Sequence, residues 1–271
     1  VNPTSTDRLD FAKLKELGLN RLSVGMQSAV ESEMKLLGRT HTREDVINTV
    51  RNAQKCGISN ISIDLIIGVP NQTKASLTES MDFCASLGVK HISAYILKIE
   101  KGTKFYEIQD SLDLPNGDIQ AEQYMFVSRY LEKLGYKQYE ISNYSLEGYE
   151  SRHNNKYWRC MEYIGIGPSA HSFYNGERFY YGRSFEGFYS GIKNPDGKGG
   201  TEEEFIMLNL RLKRGLIFRE FEEKYGHKIS DRFIKKAELF CKAGYMKVDK
   251  EKASLTPEGY LVSNAIISEL I

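Results

Sequence analysis

The sequence predicts an α/β protein. It begins with parallel strands that form part of a barrel, continues as an α+β region and ends in a small winged-helix-like domain. Three observations predict this. Strand-type and helix-type periodicities alternate over roughly the first hundred residues, the pattern of parallel crossovers. The strands keep one polar face, which an open sheet covered on both sides would have no use for. Beyond residue 200 the pattern changes to short helices around one hairpin.

The elements follow in order. A helix with its cap at Thr6 or Asp7 carries Leu9, Phe11, Leu14 and Leu17 at helical spacing and stops at Gly18. Residues 20–27 alternate, with Leu22, Val24 and Met26 on one face and Arg21, Ser23, Gly25 and Gln27 on the other. A helix is predicted over 43–55, stopped by Cys56-Gly57. Residues 60–69 alternate again, setting Ile61, Ile63, Leu65 and Ile67 against Ser62, Asp64 and Gly68. A helix over 73–87 ends at Gly88, and a strand over 90–97 sets Ile92, Ala94 and Ile96 against His91, Ser93 and Tyr95. A barrel whose lumen holds a polar ligand explains why each strand has a polar side.

From Glu100 the pattern shifts. Pro115-Asn116-Gly117-Asp118 starts a helix over 119–134, residues 136–142 read as a strand, and 148–167 as irregular, aromatic and glycine-rich. Residues 192–200 have the composition of a linker. The expected domains are therefore 1–110, 111–192 and 201–271. The last carries 13 Lys/Arg against 12 Asp/Glu, without the basic excess of nucleic-acid readers, so a packing lid or partner surface is expected of it.

Composition narrows the function classes. With 37 basic and 36 acidic residues, electrostatics alone call for neither nucleic acid nor an anionic membrane. No apolar run approaches the ~18 residues of a membrane span, so the cytoplasm is the expected location. Cys56, Cys84, Cys160 and Cys241 are far apart in the chain and suggest neither a disulfide framework nor a metal motif.

The remaining signals are polar residues at strand ends and one aromatic cluster. Asp64 sits between aliphatic neighbours, where a carboxylate needs either a cation such as Arg21 or a ligand donor. Gln27 follows Gly25, which lets a ligand approach the backbone; the amide alternatively caps the next helix. Arg39, in Leu37-Gly38-Arg39-Thr40-His41, either meets a carboxylate through its planar fork or stays in solvent. The glycine-rich stretch 165–172 lacks the lysine of a phosphate loop. In His153-Asn154-Asn155-Lys156-Tyr157-Trp158, the only tryptophan follows a tyrosine and lies five positions after a histidine. Taken alone, such a histidine is more often a hydrogen-bonded structural residue than a metal ligand; flat apolar neighbours and an axial base are what an iron porphyrin requires.

Several segments in order, NRLSVGMQS, LGRTH, DLIIGVPNQT, HISAY, YEISNY, HNNKYW and GIGPSAHS, resemble the oxygen-independent coproporphyrinogen III oxidase group of radical S-adenosylmethionine (SAM) proteins. HNxxYW resembles the heme chaperone branch of that group. The resemblance implies a partial radical SAM (β/α) barrel containing the later strands. It implies a [4Fe-4S] cluster and SAM in the full-length protein, with Gln27, Arg39, Asp64 and His171 about the SAM. It also implies heme held by His153, Asn154, Tyr157 and Trp158, with His153 as an iron ligand. The cysteine triplet CxxxCxxC is missing, and Val1-Asn2-Pro3 matches an internal site of relatives, so an N-terminally truncated fragment is expected. The implied partners are heme or a porphyrin, a heme-acceptor protein of unknown identity and, as an open option, a second copy of the chain. The implied function is a heme chaperone. The alternative is oxidative decarboxylation of coproporphyrinogen III propionates to vinyl groups, with the radical chemistry supplied by the cofactors.

Overall fold

The computed structural model describes the backbone of all 271 residues and every side chain except those of Asp7 and Lys104. The chain forms two compact units, Val1–Glu150 and Ser151–Ile271.

The first unit opens with a 3-10 turn, Pro3–Arg8, and then follows the alternating pattern: α1 (Phe11–Glu16), β1 (Leu22–Gln27), α2 (Glu31–Leu36), α3 (Arg43–Lys55), β2 (Ile61–Ile67), α4 (Lys74–Ser86) and β3 (His91–Ile96). The cap of α1 differs from expectation. Asp10, not Thr6, accepts from the Lys13 backbone N–H at 3.0 Å, while the Thr6 hydroxyl donates to the Pro3 carbonyl and meets Thr49. The Asp7 side chain lies outside the described residues. Both α3 and α4 begin with reciprocal capping boxes, Thr42 with Asp45 and Thr73 with Ser76. There follow α5 (Lys104–Ile108), α6 (Gly117–Lys133), β4 (Lys137–Gln138) and β5 (Asn143–Ser145).

These strands make one five-stranded sheet in the order β1-β2-β3-β5-β4, parallel across β1, β2 and β3 and antiparallel beyond. The expected single strand over 136–142 is instead two short strands. Tyr139 donates its backbone N–H to Asn143, and the Glu140 carboxylate accepts from the Ser142 N–H and the Asn143 side chain, which turns the chain back. One face of the sheet is the core. Val24, Ile61, Ile63, Ile67 and Ile92 are completely buried there, on strands that α3, α4 and α6 pack against. Each such side chain contributes about 1.5–3 kcal/mol of burial.

In the second unit α7 (Arg152–Trp158) precedes an antiparallel sheet of β6 (His171–Tyr174), β7 (Glu177–Tyr181) and β8 (Lys193–Lys198), with α8 (Phe185–Tyr189) between the last two strands. Two expectations are corrected here. Within the stretch read as irregular, Ser151 caps a helix by accepting from the Asn154 N–H. The linker-like stretch contains a paired strand, with Asn194 opposite Tyr180 and Lys193 opposite Tyr181. Its Pro195 and Gly197 are tolerated because β8 is the sheet edge, where a missing N–H leaves no ladder bond broken. Then α9 (Glu202–Asn209), β9 (Leu216–Ile217), α10 (Phe218–Tyr225), α11 (Asp231–Lys242), β10 (Met246–Val248), β11 (Lys252–Leu255), α12 (Pro257–Leu261) and α13 (Ser263–Leu270) form a winged-helix-like module. Its three short strands pair β10-β11-β9, and Leu216, Phe221, Phe233 and Ala237 form its buried centre.

Candidate functional site

The uncovered face of the first sheet carries the polar residues. Ser23 on β1 donates to both carboxylate oxygens of Asp64 on β2, at 3.1 and 3.0 Å, and Asp64 stands in register with Ser93 on β3. Arg21 does not neutralise it by contact: its guanidinium donates to the Tyr149 carbonyl at 3.1 Å. Asp64 is thus half-buried, held by a neutral donor and still able to accept. Gln27 ends β1 at a bulge, with a positive φ of 75°. Its side chain folds back towards Gly25, where an added Cβ would stand 3.1 Å from the Gln27 amide nitrogen. Gln27 and Asp64 therefore share the face turned away from the helices.

Deeper on that face the groups are sealed. His91 receives or gives hydrogen bonds at both ring nitrogens, to Ser62 at 2.7 Å and Tyr139 at 2.8 Å. Burial, with the nearby Arg21 charge adding to it, pushes its pKa down to about 3, so the ring is neutral. Tyr95, at the top of β3, is 43% exposed. The face thus runs from a closed base to an open rim.

Arg39 lies in the loop between α2 and α3, half-buried, and lines a cavity of 720 Å³ with Met34, His41, Arg43 and Glu79. Sequence reasoning gave no role to His41. Its ring is buried and its Nε2 lies 3.0 Å from the Met26 carbonyl, one residue before Gln27. That bond ties the Arg39 loop to the end of β1. Burial lowers the His41 pKa, opposed by the hydrogen bond to Met26 and aided by the Arg39 charge, and a carbonyl partner can only accept, so Nε2 is the donor in that bond. Sequence reasoning also missed a buried clamp. Glu33 accepts from Ser28 at 2.7 Å and from the Gln72 amide at 3.1 Å, while Gln72 accepts from the Gly68 N–H at 2.8 Å. The clamp joins the ends of β1 and β2. Local periodicity carries no signal for it, since Gln72 lies 39 positions from Glu33.

In the second unit His153 is exposed on α7, and its Nε2 lies 2.5 Å from the Tyr157 hydroxyl one turn later. The Tyr157 ring stands edge-on to Tyr163 at 4.5 Å and borders a 240 Å³ cavity with Met161, Phe173 and Leu208. Burial raises the pKa of its phenol. Trp158 is directed differently. It is half-buried, with the Arg211 guanidinium 5.9 Å over its ring and its indole nitrogen enclosed. The structure brings His153 and Tyr157 together, while the contact given for the Trp158 ring is with Arg211; Asn154 donates its backbone N–H to the Ser151 cap. After α7 the chain exposes Met161, Ile164 and Ile166. His171 is on β6, stacked on Tyr180 at 5.0 Å with Asp196 at 3.4 Å. Gly165 packs so closely on the His171 carbonyl that any side chain would clash.

Metal ligation divides these residues. The four thiols are separate and free, Cys84 fully buried, and among the described residues no three His, Cys, Asp or Glu groups could hold a metal ion. They do not fit an iron–sulfur cluster. The polar face offers groups that suit SAM, an accepting carboxylate at Asp64 and an amide at Gln27, while the Arg39 guanidinium lines a cavity whose walls include neither of them.

Comparison with known proteins bears on the family and the fold. Residues 1–84 match the radical SAM superfamily model and residues 203–262 the HemN C-terminal domain model. The chain is similar over its whole length to E. coli coproporphyrinogen III oxidase (HemN), described as a radical SAM enzyme. The TM-score is 0.77 at 19% identity, covering 68% of that chain, a likeness of fold. The class is thus a radical SAM, HemN-like protein. Heme chaperone HemW of Bacillus subtilis (strain 168) is 32% identical across all of this chain and 74% of its own length. That of Synechocystis is 34% identical over 81% of this chain and 57% of its own length. The chain belongs to the HemW family.

Proposed function

We propose that this protein is a heme chaperone that binds heme at α7 and delivers it to an acceptor protein in the cytoplasm. The observation that carries the reading is the exposed imidazole of His153, presented on a capped helix beside the Tyr157 ring and followed by the exposed apolar side chains Met161, Ile164 and Ile166. An imidazole supplies the axial nitrogen, and the apolar surface takes the porphyrin face. Relatives named heme chaperones support the assignment. Among the described residues no helix is long and apolar enough to cross a membrane, and the four thiols are unpaired, as suits a reducing compartment.

On this reading residues 1–110 form the cofactor-facing part of the barrel, 111–192 the heme-binding extension, and 201–271 a packing or partner module. Asp64 would accept from a hydroxyl or amino group of SAM, Gln27 would meet its ribose, and Arg39 would pair with its carboxylate. SAM bound with a cluster supplies radical chemistry; these side chains orient it and limit its access to water.

The test is ferric heme titration followed at the Soret band. His153→Ala is expected to weaken heme binding at least tenfold and shift the band, while Asp64→Ala leaves both unchanged and weakens SAM binding instead. Unchanged heme affinity and spectrum in His153→Ala would refute the reading.

A further inference from the structure

His153 and Tyr157 are more than neighbours on one helix. The phenol oxygen lies 2.5 Å from Nε2, and the two rings meet edge-on with centroids 4.8 Å apart. Tyr157 is braced from behind by Tyr163, whose own hydroxyl accepts from Arg178 Nη1 at 3.2 Å. Arg178 is in turn paired with Glu204. The phenol therefore sits on a series of packed contacts, whereas the imidazole it touches is exposed to solvent.

An imidazole nitrogen binds iron along the in-plane direction of its lone pair. A hydroxyl on Nε2 occupies that same direction. Iron and the Tyr157 hydroxyl cannot both have it.

We propose that Tyr157 is an internal competitor for the heme-binding nitrogen of His153, and that this competition sets how firmly heme is held and how fast it leaves. The proposal rests on the reading of His153 as the heme-binding residue. Binding must first break the phenol bond, which weakens affinity. During release the hydroxyl recaptures the nitrogen as the iron bond stretches, which lowers the barrier to departure. A carrier benefits from both effects, because cargo held by an uncontested imidazole would be slow to pass on.

Tyr157→Phe isolates the effect, since the ring, its contact with Tyr163 and its apolar surface all remain. A typical net hydrogen bond of about 1 kcal/mol corresponds to about fivefold in equilibrium. The full chain carrying Tyr157→Phe is expected to bind ferric heme about fivefold more tightly and to lose it correspondingly more slowly to excess apomyoglobin. In the heme-free protein, imidazole nitrogen NMR is expected to show a hydrogen-bonded Nε2 in the unmodified chain and its release in Tyr157→Phe. In a His153→Ala background the Tyr157→Phe gain is expected to vanish. Unchanged or weaker heme binding with an unchanged release rate in Tyr157→Phe would overturn the proposal, as would iron held through Nδ1 with the phenol bond intact. If His153→Ala itself kept normal heme affinity and spectrum, the underlying heme assignment would fail instead. The two failures are thereby told apart.

Discussion

The polar face of the first sheet and the histidine helix of the second unit are built on opposite principles. On the sheet and the segments at its end, polar groups are fixed by partners distant in sequence: Ser23 on Asp64, His41 on the Met26 carbonyl, and Glu33 on Gln72. On α7 the exposed His153 relies on a partner four residues away in its own helix. The first arrangement fixes geometry before a ligand arrives, which lowers the cost of ordering on binding. The second leaves its key group accessible and easily exchanged. A cofactor that stays needs the former; a cargo that moves on needs the latter.

The comparison breaks most readily at His41. Replacing it with Ala removes the hydrogen bond to the Met26 carbonyl and opens space in a buried site, so a loss of about 2–4 kcal/mol is expected in urea unfolding. SAM affinity should fall as well, because the Arg39 loop loses its tie to β1. A change below about 0.5 kcal/mol would show that the tie does not hold the loop.

The next effect depends on pH. The unfolded His91 titrates near its ordinary value of 6.5, the folded one at about 3. Between those values the unfolded chain binds the extra proton, so stability falls as pH drops through this window and is fully present above it. The slope from this one group is at most about 1.4 kcal/mol per pH unit. His91→Gln should flatten the curve between pH 6 and 4 relative to the unmodified chain. Identical slopes would mean that the ring is not held neutral in the fold.

A smaller loss is expected from Glu33→Gln. The change keeps the shape and one acceptor but brings an extra amide donor into a site already supplied by Ser28 and Gln72, costing about 1–2 kcal/mol. Smallest of all is the stability change for His153→Ala, within about 0.5 kcal/mol, because the residue is exposed and Ala favours the helix. A loss as large as that from His41→Ala would erase the contrast between the two regions.

Much of this was legible from the chain. Period-two alternation placed Asp64 and Gln27 on one face because β2 and β1 bury the opposite face completely. The His41 tie and the Glu33–Gln72 clamp were not legible, since they join residues 15 and 39 positions apart and periodicity reports only local order. The 192–200 stretch misled for a related reason. Its Gly and Pro composition is that of a loop, yet an edge strand tolerates it because only one of its sides is paired. In HNNKYW the four-residue spacing that brings His153 and Tyr157 together was legible as one helical turn, whereas the cation over the Trp158 ring, Arg211, lies 53 positions away and was not.

The positive φ of Gln27 has a further consequence for the evolution of this chain. A bulky residue held in the left-handed region bears a standing backbone cost of about 1–3 kcal/mol, and glycine at that position would remove it. Selection for thermal stability alone should therefore drift toward Gln27→Gly, giving hardier proteins that have lost the amide. Backbone ease and the amide are thus opposed at this one position, and a chain that keeps glutamine there carries the amide at the expense of the backbone beneath it.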